Sequence, residues 1–300
     1  MTQRLSPSTI ALLVIAPLMW AGNAVVGRMV NTMVPPMTLN FLRWAIAFVL
    51  LLPLAGSVLS PKSAMWPNWR RFSLMGLFSV GLYNAFQYLA LHTSTPLNVT
   101  LVASSGPVWM LLVGRMFFGA TIQSRQLVGA AFSIVGVLVV LSRGQWDLLL
   151  QVRLVAGDIY ILIAAAIWAF YSWMLSERDK DPAVIRSNWA AFLMAQIVFG
   201  LFWSGLLAAG EWTLTDAHMQ WNGTVAAALL FVAVGPALIA YRCWGAGIGR
   251  AGPAVAAFFS NLTPLFAALL SALMLGDLPH AYHAAAFALI VAGIVLSSRK

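Results

Sequence analysis

The chain has 300 residues, 61% of them hydrophobic and only 8% charged, and its mean hydropathy is +0.87. A soluble domain carries about 25% charged residues to keep its surface wet, so this chain cannot cover a water-facing surface and lipid is its expected solvent. The net charge of +9 comes from Lys and Arg scattered through short connections, a distribution suited to topology signals and anionic headgroups and not to a nucleic-acid partner.

A spanning helix needs about 20 mainly apolar residues. In chain order ten segments meet this requirement: 9–29, 37–56, 72–91, 97–118, 124–142, 156–176, 184–207, 223–246, 253–275 and 280–297. The connections between them, such as Pro61–Arg71, Glu177–Pro182 and Gly210–His218, are short and hold most of the charges. The first segment is too long for a signal peptide, and its Ala21-Gly22-Asn23-Ala24 stretch belongs to a pattern that recurs later.

Positive residues set the expected orientation. A cytoplasmic N-terminus places Arg4, Lys62, Arg70, Arg71, Arg115, Arg125, Arg178, Lys180, Arg186, Arg250, Arg299 and Lys300 inside. Only Arg28, Arg143 and Arg153 then lie outside. Both termini are expected to be cytoplasmic. Trp66, Trp69, Trp146, Trp212 and Trp221 fall at span ends or in loops, where amphipathic rings prefer the headgroup layer.

The two halves resemble each other. A shift of 157 residues superposes Pro96 on Pro253, Pro107 on Pro264, Gly119 on Gly276 and Gly136 on Gly293. Near the start of each half, a shift of 148 places Trp20 on Trp168 and Asn40 on Asn188. The expected units are residues 1–146 and 147–300, each with five spans. Five is odd, so the second unit enters the membrane with opposite polarity. The expected fold is an all-α membrane protein whose ten transmembrane helices form two inverted five-helix repeats. Carriers of this plan hold substrate near the midplane, between the repeats, and alternate access around it. A duplicated bundle with no transport role is the plain alternative.

LMWAGN (18–23) and AIWAFY (166–171) open the halves, and the SSGPVW and SNLTPLF helices follow. VGAAFSIVGVLVVLSRG (128–144) and AAAFALIVAGIVLSSRK (284–300) close them. In order and duplication these motifs resemble the drug/metabolite transporter superfamily, in its ten-helix EamA-type branch, over essentially the whole chain. The stretches at 240–275 and 167–179 are similar to the bacterial aromatic amino acid exporters within that branch. The resemblance implies an inner-membrane carrier exporting aromatic and other neutral amino acids by alternating access. Relatives on the same scaffold carry drugs, nucleobases, vitamins or nucleotide sugars, and fold analogy does not choose among these.

Pro107 and Pro264 sit mid-span, where each removes a backbone donor and frees a carbonyl four residues back, at Ala103 and Ser260. Such groups are tolerated at membrane depth only where protein or a wet cavity satisfies them, so the pair is a candidate hinge. A simple packing kink is the alternative.

Polar and aromatic residues share helix faces and should avoid lipid. They are Trp20 and Asn23 in span 1, Tyr83 and Gln87 in span 3, Ser105 and Trp109 in span 4, and Trp168 and Tyr171 in span 6. Tyr241 and Trp244 in span 8 and Ser260 and Asn261 in span 9 complete the set. A pocket of this kind suits an aromatic or neutral zwitterion, by ring contacts to the side chain and hydrogen bonds to its charged ends. Interhelical glue is the competing role for each residue alone.

Arg43, about 9 Å into span 2, could meet a substrate carboxylate, but snorkelling or satisfying broken backbone is the preferred reading. Arg242 is expected to snorkel from span 8 to the headgroups. The eight acidic residues fall in loops or near span ends, which leaves no intramembrane carboxylate as a proton relay and points to uniport down the substrate's own gradient. His280 and His283 have i, i+3 spacing but no third ligand, and read as a wet loop pair. Cys243 stands alone, so neither a disulfide framework nor a cysteine-based zinc site is available. No metal or cofactor is expected. Nucleotide, metalloprotease and hydrolase motifs are missing, so the chain is not expected to be an enzyme, and a membrane-embedded enzyme subunit is the remote alternative. The sequence does not set the oligomeric state, and a monomer satisfies it.

Overall fold

The computed structural model describes residues 5–94, 96–151, 155–275 and 280–298. Eight helical stretches among them are long and apolar enough to cross a membrane. Two more complete the set of ten. In chain order the helices are α1 (Pro7–Val30), α2 (Pro36–Ala55), α3 (Trp69–Gly76, Leu77–Leu82 and Tyr83–Thr93), α4 (Pro96–Ala103 and Gly106–Phe117) and α5 (Ser124–Leu141). There follow α6 (Ala156–Ser176), α7 (Trp189–Leu214), α8 (Gly223–Val232, Ala233–Ile239 and Ala240–Ala251), α9 (Pro253–Ser260 and Leu262–Leu275) and α10 (Ala281–Ser298). The additional two are α3, diluted by Arg70, Arg71, Asn84 and Gln87, and α4, interrupted at Ser104–Ser105. Arg4, Arg153, Gly276, Asp277, Arg299 and Lys300, singled out in the sequence, lie outside the described residues, as do the side chains of His92 and Pro96.

The seventh span departs most from the sequence expectation, and the eighth continues past 246 to Ala251. The seventh span does not begin at 184 and end at 207 but runs Trp189–Leu214, absorbing part of the supposed connection after Gly210. Its start is set by Asn188, whose side chain accepts from the Ala190 and Ala191 amides at 2.9 and 3.4 Å. Its extension is explained by Glu211. That carboxylate accepts from the Met37 and Thr38 amides at 3.0 and 2.9 Å and from the Thr38 hydroxyl at 2.8 Å. Trp212 Nε1 donates to the same hydroxyl at 2.8 Å. An anion here meets the free amides and positive dipole end of α2. Residues polar enough to read as loop therefore serve as the cap of a neighbouring helix.

Helices α3 and α8 each contain a wider π segment, Leu77–Leu82 and Ala233–Ile239. In α8 the cause is local: Pro236 lacks an N–H and its ring displaces the carbonyl one turn back. In α3 two carbonyls of the segment accept side-chain donors from other helices. Asn40 Nδ2 donates to Val80 O and Tyr241 Oη to Ser79 O, both at 2.8 Å.

Helices α4 and α9 are each broken just upstream of their proline. The breaks fall at Ser105 (φ −70°, ψ −5°) and Asn261 (φ −71°, ψ −4°), and the upstream halves end at Ala103 and Ser260. Those are the residues whose carbonyls lose a proline partner. Asn261 Nδ2 bridges the two breaks, donating to Ser104 O at 3.3 Å and to Ser133 Oγ at 3.0 Å.

The packing pairs helices across the two halves. Helix α1 lies against α8 and α9, and α6 against α3 and α4. Helix α2 packs on α7, α5 on α10, and the broken helices α4 and α9 meet each other. The α5–α10 contact is antiparallel and reciprocal. A Cβ added at Gly129 would stand 2.8 Å from Gly293 O, one at Gly293 would stand 2.6 Å from Gly129 O, and one at Gly136 would stand 3.0 Å from Ala286 O. Backbones can approach this closely only because the small residues are there.

At one end of the bundle, Arg71 of α3 ties down the connection after α6. It donates to Asp181 at 2.5 Å, to Glu177 at 3.2 Å, and to the carbonyls of Met174 and Glu177 at 2.9 and 3.1 Å. Arg186 pairs with Asp181 at 3.3 Å and caps Leu175 O at 2.6 Å. Burial pushes the Asp181 carboxyl above its usual range and the Arg186 guanidinium below its own. Each charge is costly without its partners.

Candidate functional site

Six of the seven aromatic residues selected from helix periodicity, all but Trp109, converge on one point. Trp168 of α6 contacts Tyr83 of α3 (ring centroids 4.7 Å apart), Trp20 of α1 (5.2 Å), Tyr171 of its own helix (5.3 Å), and Tyr241 and Trp244 of α8 (5.7 and 5.8 Å). Trp20 also meets Trp244 edge-on at 5.3 Å, and Tyr171 meets Tyr241 at 6.0 Å. Four helices thus deliver six rings to a common centre. Their polar tips are oriented: Trp244 Nε1 donates to Ser172 Oγ at 3.2 Å and Tyr241 Oη to Ser79 O at 2.8 Å. Trp44 of α2, missed in the sequence, adds a seventh ring edge-on to Tyr241 at 4.9 Å.

Next to this cluster lies a buried cation. Arg43 is 1% exposed. It neither snorkels nor bonds a broken backbone, so the structure corrects that expectation. Its Nη1 points to Asn23 Oδ1 of α1 and Asn84 Oδ1 of α3, each at 3.4 Å, and its guanidinium carbon stands 5.1 Å over the Trp44 ring. Asn23 lies three residues beyond Trp20 and Asn84 follows Tyr83, so the polar node adjoins the rings on two helices. Arg242, by contrast, is exposed, its guanidinium carbon 4.5 Å over the Trp189 ring.

The remaining sequence-selected residues lie elsewhere. Ser105 and Ser260 turn their hydroxyls to carbonyls of their own helices, Val102 O and Ala257 O, both at 2.6 Å. Asn261 is 2% exposed and bridges the helix breaks. Gln87 and Trp109 are half-buried. Pro107 is buried and Pro264 half-buried, each just past a break. Apart from Gln87, which is on α3, these residues belong to α4 and α9 and not to the aromatic centre.

A cavity of about 540 Å³ lies to one side of the rings, between α4 and the start of α6, lined by Val102, Ser105, Asp158, Ile159 and Leu162. Leu162 is about 9 Å along the α6 axis from Trp168 at the usual rise. Of the histidine pair, His280 is exposed as expected, while His283 is 7% exposed and its Nδ1 accepts the His280 amide at 3.0 Å, a helix-start role. Among the described residues, no group of three or more His, Cys, Asp or Glu could hold a metal ion.

A bundle of ten membrane-length helices around an aromatic and amide-bearing centre is a multi-pass membrane protein with the build of a transporter. Comparison with known families makes this specific. The EamA-like transporter family matches residues 7–142 and again 155–299, and the chain belongs to that family. It is 25% identical over 300 residues to an uncharacterized transporter of Archaeoglobus fulgidus, covering 99% of each chain. It is 27% identical over 296 residues to a probable amino-acid metabolite efflux pump of Salmonella typhimurium, covering 96% of this chain and 93% of that one. It is 26% identical over 268 residues to the aromatic amino acid exporter YddG of Ancylobacter novellus, covering 88% of each. A crystal structure 22% identical in sequence matches the fold with a TM-score of 0.74, over 97% of this chain and 96% of the other.

Proposed function

We propose that this protein exports aromatic and other neutral amino acids from the cytoplasm, as a uniporter working by alternating access. The observation that carries the proposal is Trp168, held among rings from α1, α3 and α8. A site that closes on its own aromatic surfaces offers an incoming aromatic side chain equivalent partners when it opens. The names of two relatives, an aromatic amino acid exporter and an amino-acid efflux pump, agree with that substrate class.

The units 1–146 and 147–300 are taken as inverted repeats with both chain ends cytoplasmic. In support, the family matches each half, and adding 157 to Gly129 and Gly136 gives Ala286 and Gly293, so the Gly129–Gly293 and Gly136–Ala286 contacts exchange into each other. The hinge is placed at the breaks before Pro107 and Pro264, where α4 and α9 can bend against each other. The protein acts by moving its substrate, not by altering it.

Purified protein in liposomes loaded with labelled L-tryptophan, L-phenylalanine or L-alanine tests this reading. The expected result is efflux above that of protein-free liposomes, unchanged when a pH gradient is collapsed. Efflux of none of the three would overturn the substrate assignment, and efflux that follows the proton gradient would overturn uniport.

A further inference from the structure

Arg43 is a buried charge with no counter-charge among the described residues. It is 1% exposed, and among the described residues no carboxylate forms an ion pair with it. Its two amide partners sit at 3.4 Å, the outer limit of a hydrogen bond. Among the described residues three buried polar atoms have no hydrogen-bond partner: Arg43 Nε, Asn84 Nδ2 and, about one helical turn along α3 from Asn84, Tyr88 Oη. Leaving an ionised side chain and neighbouring donors unsatisfied away from water costs several kcal/mol, so the arrangement suits a group that arrives from elsewhere. A guanidinium is a planar fork of donors, which matches a carboxylate with two parallel bonds.

The place of this node in the fold decides what the carboxylate is attached to. The Arg43 guanidinium stands over Trp44, which meets Tyr241 edge-on. Asn23 lies about one helical turn from Trp20, and Asn84 is next to Tyr83. Three helices of one half, α1, α2 and α3, hold the polar end, while α6 and α8 supply the ring surfaces beside it.

We infer that Arg43, with Asn23, Asn84 and Tyr88, is the carboxylate subsite of the transport pathway, so that recognised substrates are aromatic or apolar compounds bearing a free carboxylate. This rests on the transport reading above and deepens it. On substrate entry the carboxylate replaces the long amide contacts of Arg43, and the donors of Asn84 and Tyr88 complete its coordination. The amino group of the substrate is then secondary: a compound with the acid and the ring but no amine is recognised, and one with the amine and ring but no acid is not.

The test uses detergent-solubilised full-length protein and three probes: L-tryptophan, indole-3-propionate, which lacks the amine, and tryptamine, which lacks the carboxylate. Thermal shift and competition against labelled tryptophan are read for wild type, Arg43→Met and Arg43→Lys, after size-exclusion profiles confirm folding. Tryptophan and indole-3-propionate are expected to stabilise the wild type and tryptamine to have no effect. Arg43→Met is expected to weaken both acids at least 10-fold, about 1.4 kcal/mol, while keeping or raising the unliganded melting temperature, because an apolar side chain removes an unpaired buried charge. Arg43→Lys keeps the charge without the fork and is expected to fall between the two. Equal binding of tryptamine, absence of carboxylate binding to the wild type, or full acid preference in Arg43→Lys and Arg43→Met would each overturn the subsite. If the acids bind through Arg43 but liposomes show no amino acid efflux, the export reading falls and the subsite stands. If efflux is robust and indifferent to Arg43, the subsite falls and export stands.

Discussion

The side chain of Asn261 donates to the backbone carbonyl of Ser104, its own counterpart 157 residues earlier. A residue that touches its equivalent lies next to the axis relating the two copies, which places the proposed pseudo-two-fold between the breaks of α4 and α9. Asn261 is 2% exposed and also bonds Ser133 Oγ. Asn261→Ala therefore loses two buried hydrogen bonds and is expected to destabilise the protein by about 1 kcal/mol, the scale of interhelical polar contacts in membranes. Thermal unfolding in detergent measures this, and an unchanged melting temperature would show that the contact is idle.

The α5–α10 seam predicts a sharper contrast. Gly293→Val puts a branched side chain where a single Cβ already stands 2.6 Å from Gly129 O. Backbone cannot yield as a side-chain tip can, so overpacking of about 1–3 kcal/mol or more is expected. Gly210→Ala, where a Cβ meets nothing within 4 Å, should be neutral. Expression and melting temperature of the two variants, measured side by side, decide the point.

The Asp181 side chain is fully buried between Arg71 and Arg186. Asp181→Asn removes the only negative partner of Arg186 among the described ion pairs and weakens the tie between α3 and the α6–α7 connection. Breaking a desolvated pair from one side costs about 3–5 kcal/mol, so this variant should unfold well before the wild type. Lys180→Ala, at a contact whose lysine is 57% exposed, should change stability little.

The sequence makes the spans legible because lipid imposes them: a helix crossing a membrane has to be apolar for about 20 residues. The convergence of Trp20, Tyr83, Trp168, Tyr171, Tyr241 and Trp244 was also legible, since residues three or four apart share a face and polar-tipped rings turn inward. What escapes a one-dimensional reading is set by partners distant in sequence. Glu211 reads as loop until its contact with the start of α2 is seen. The π segment of α3 carries no local proline, and its carbonyls are bonded by Asn40 and Tyr241 from other helices. Arg43 reads as a snorkelling residue because its distance from the membrane surface is evident in sequence, whereas the two asparagines that turn it inward lie on other helices. Ser105, Ser260 and Asn261 read as pocket residues by polarity, and their hydrogen bonds lie at the breaks of α4 and α9.

The central claim is that the Trp168 cluster is the surface on which substrate binds. Counterflow tests it most directly: liposomes loaded with unlabelled L-tryptophan are diluted into a trace of labelled L-tryptophan, and uptake is followed for wild type and Trp168→Ala at matched protein content. The account predicts a transient accumulation with wild type and a loss of at least 10-fold in the variant, with a size-exclusion profile that stays monodisperse. Accumulation by Trp168→Ala equal to that of wild type would contradict it.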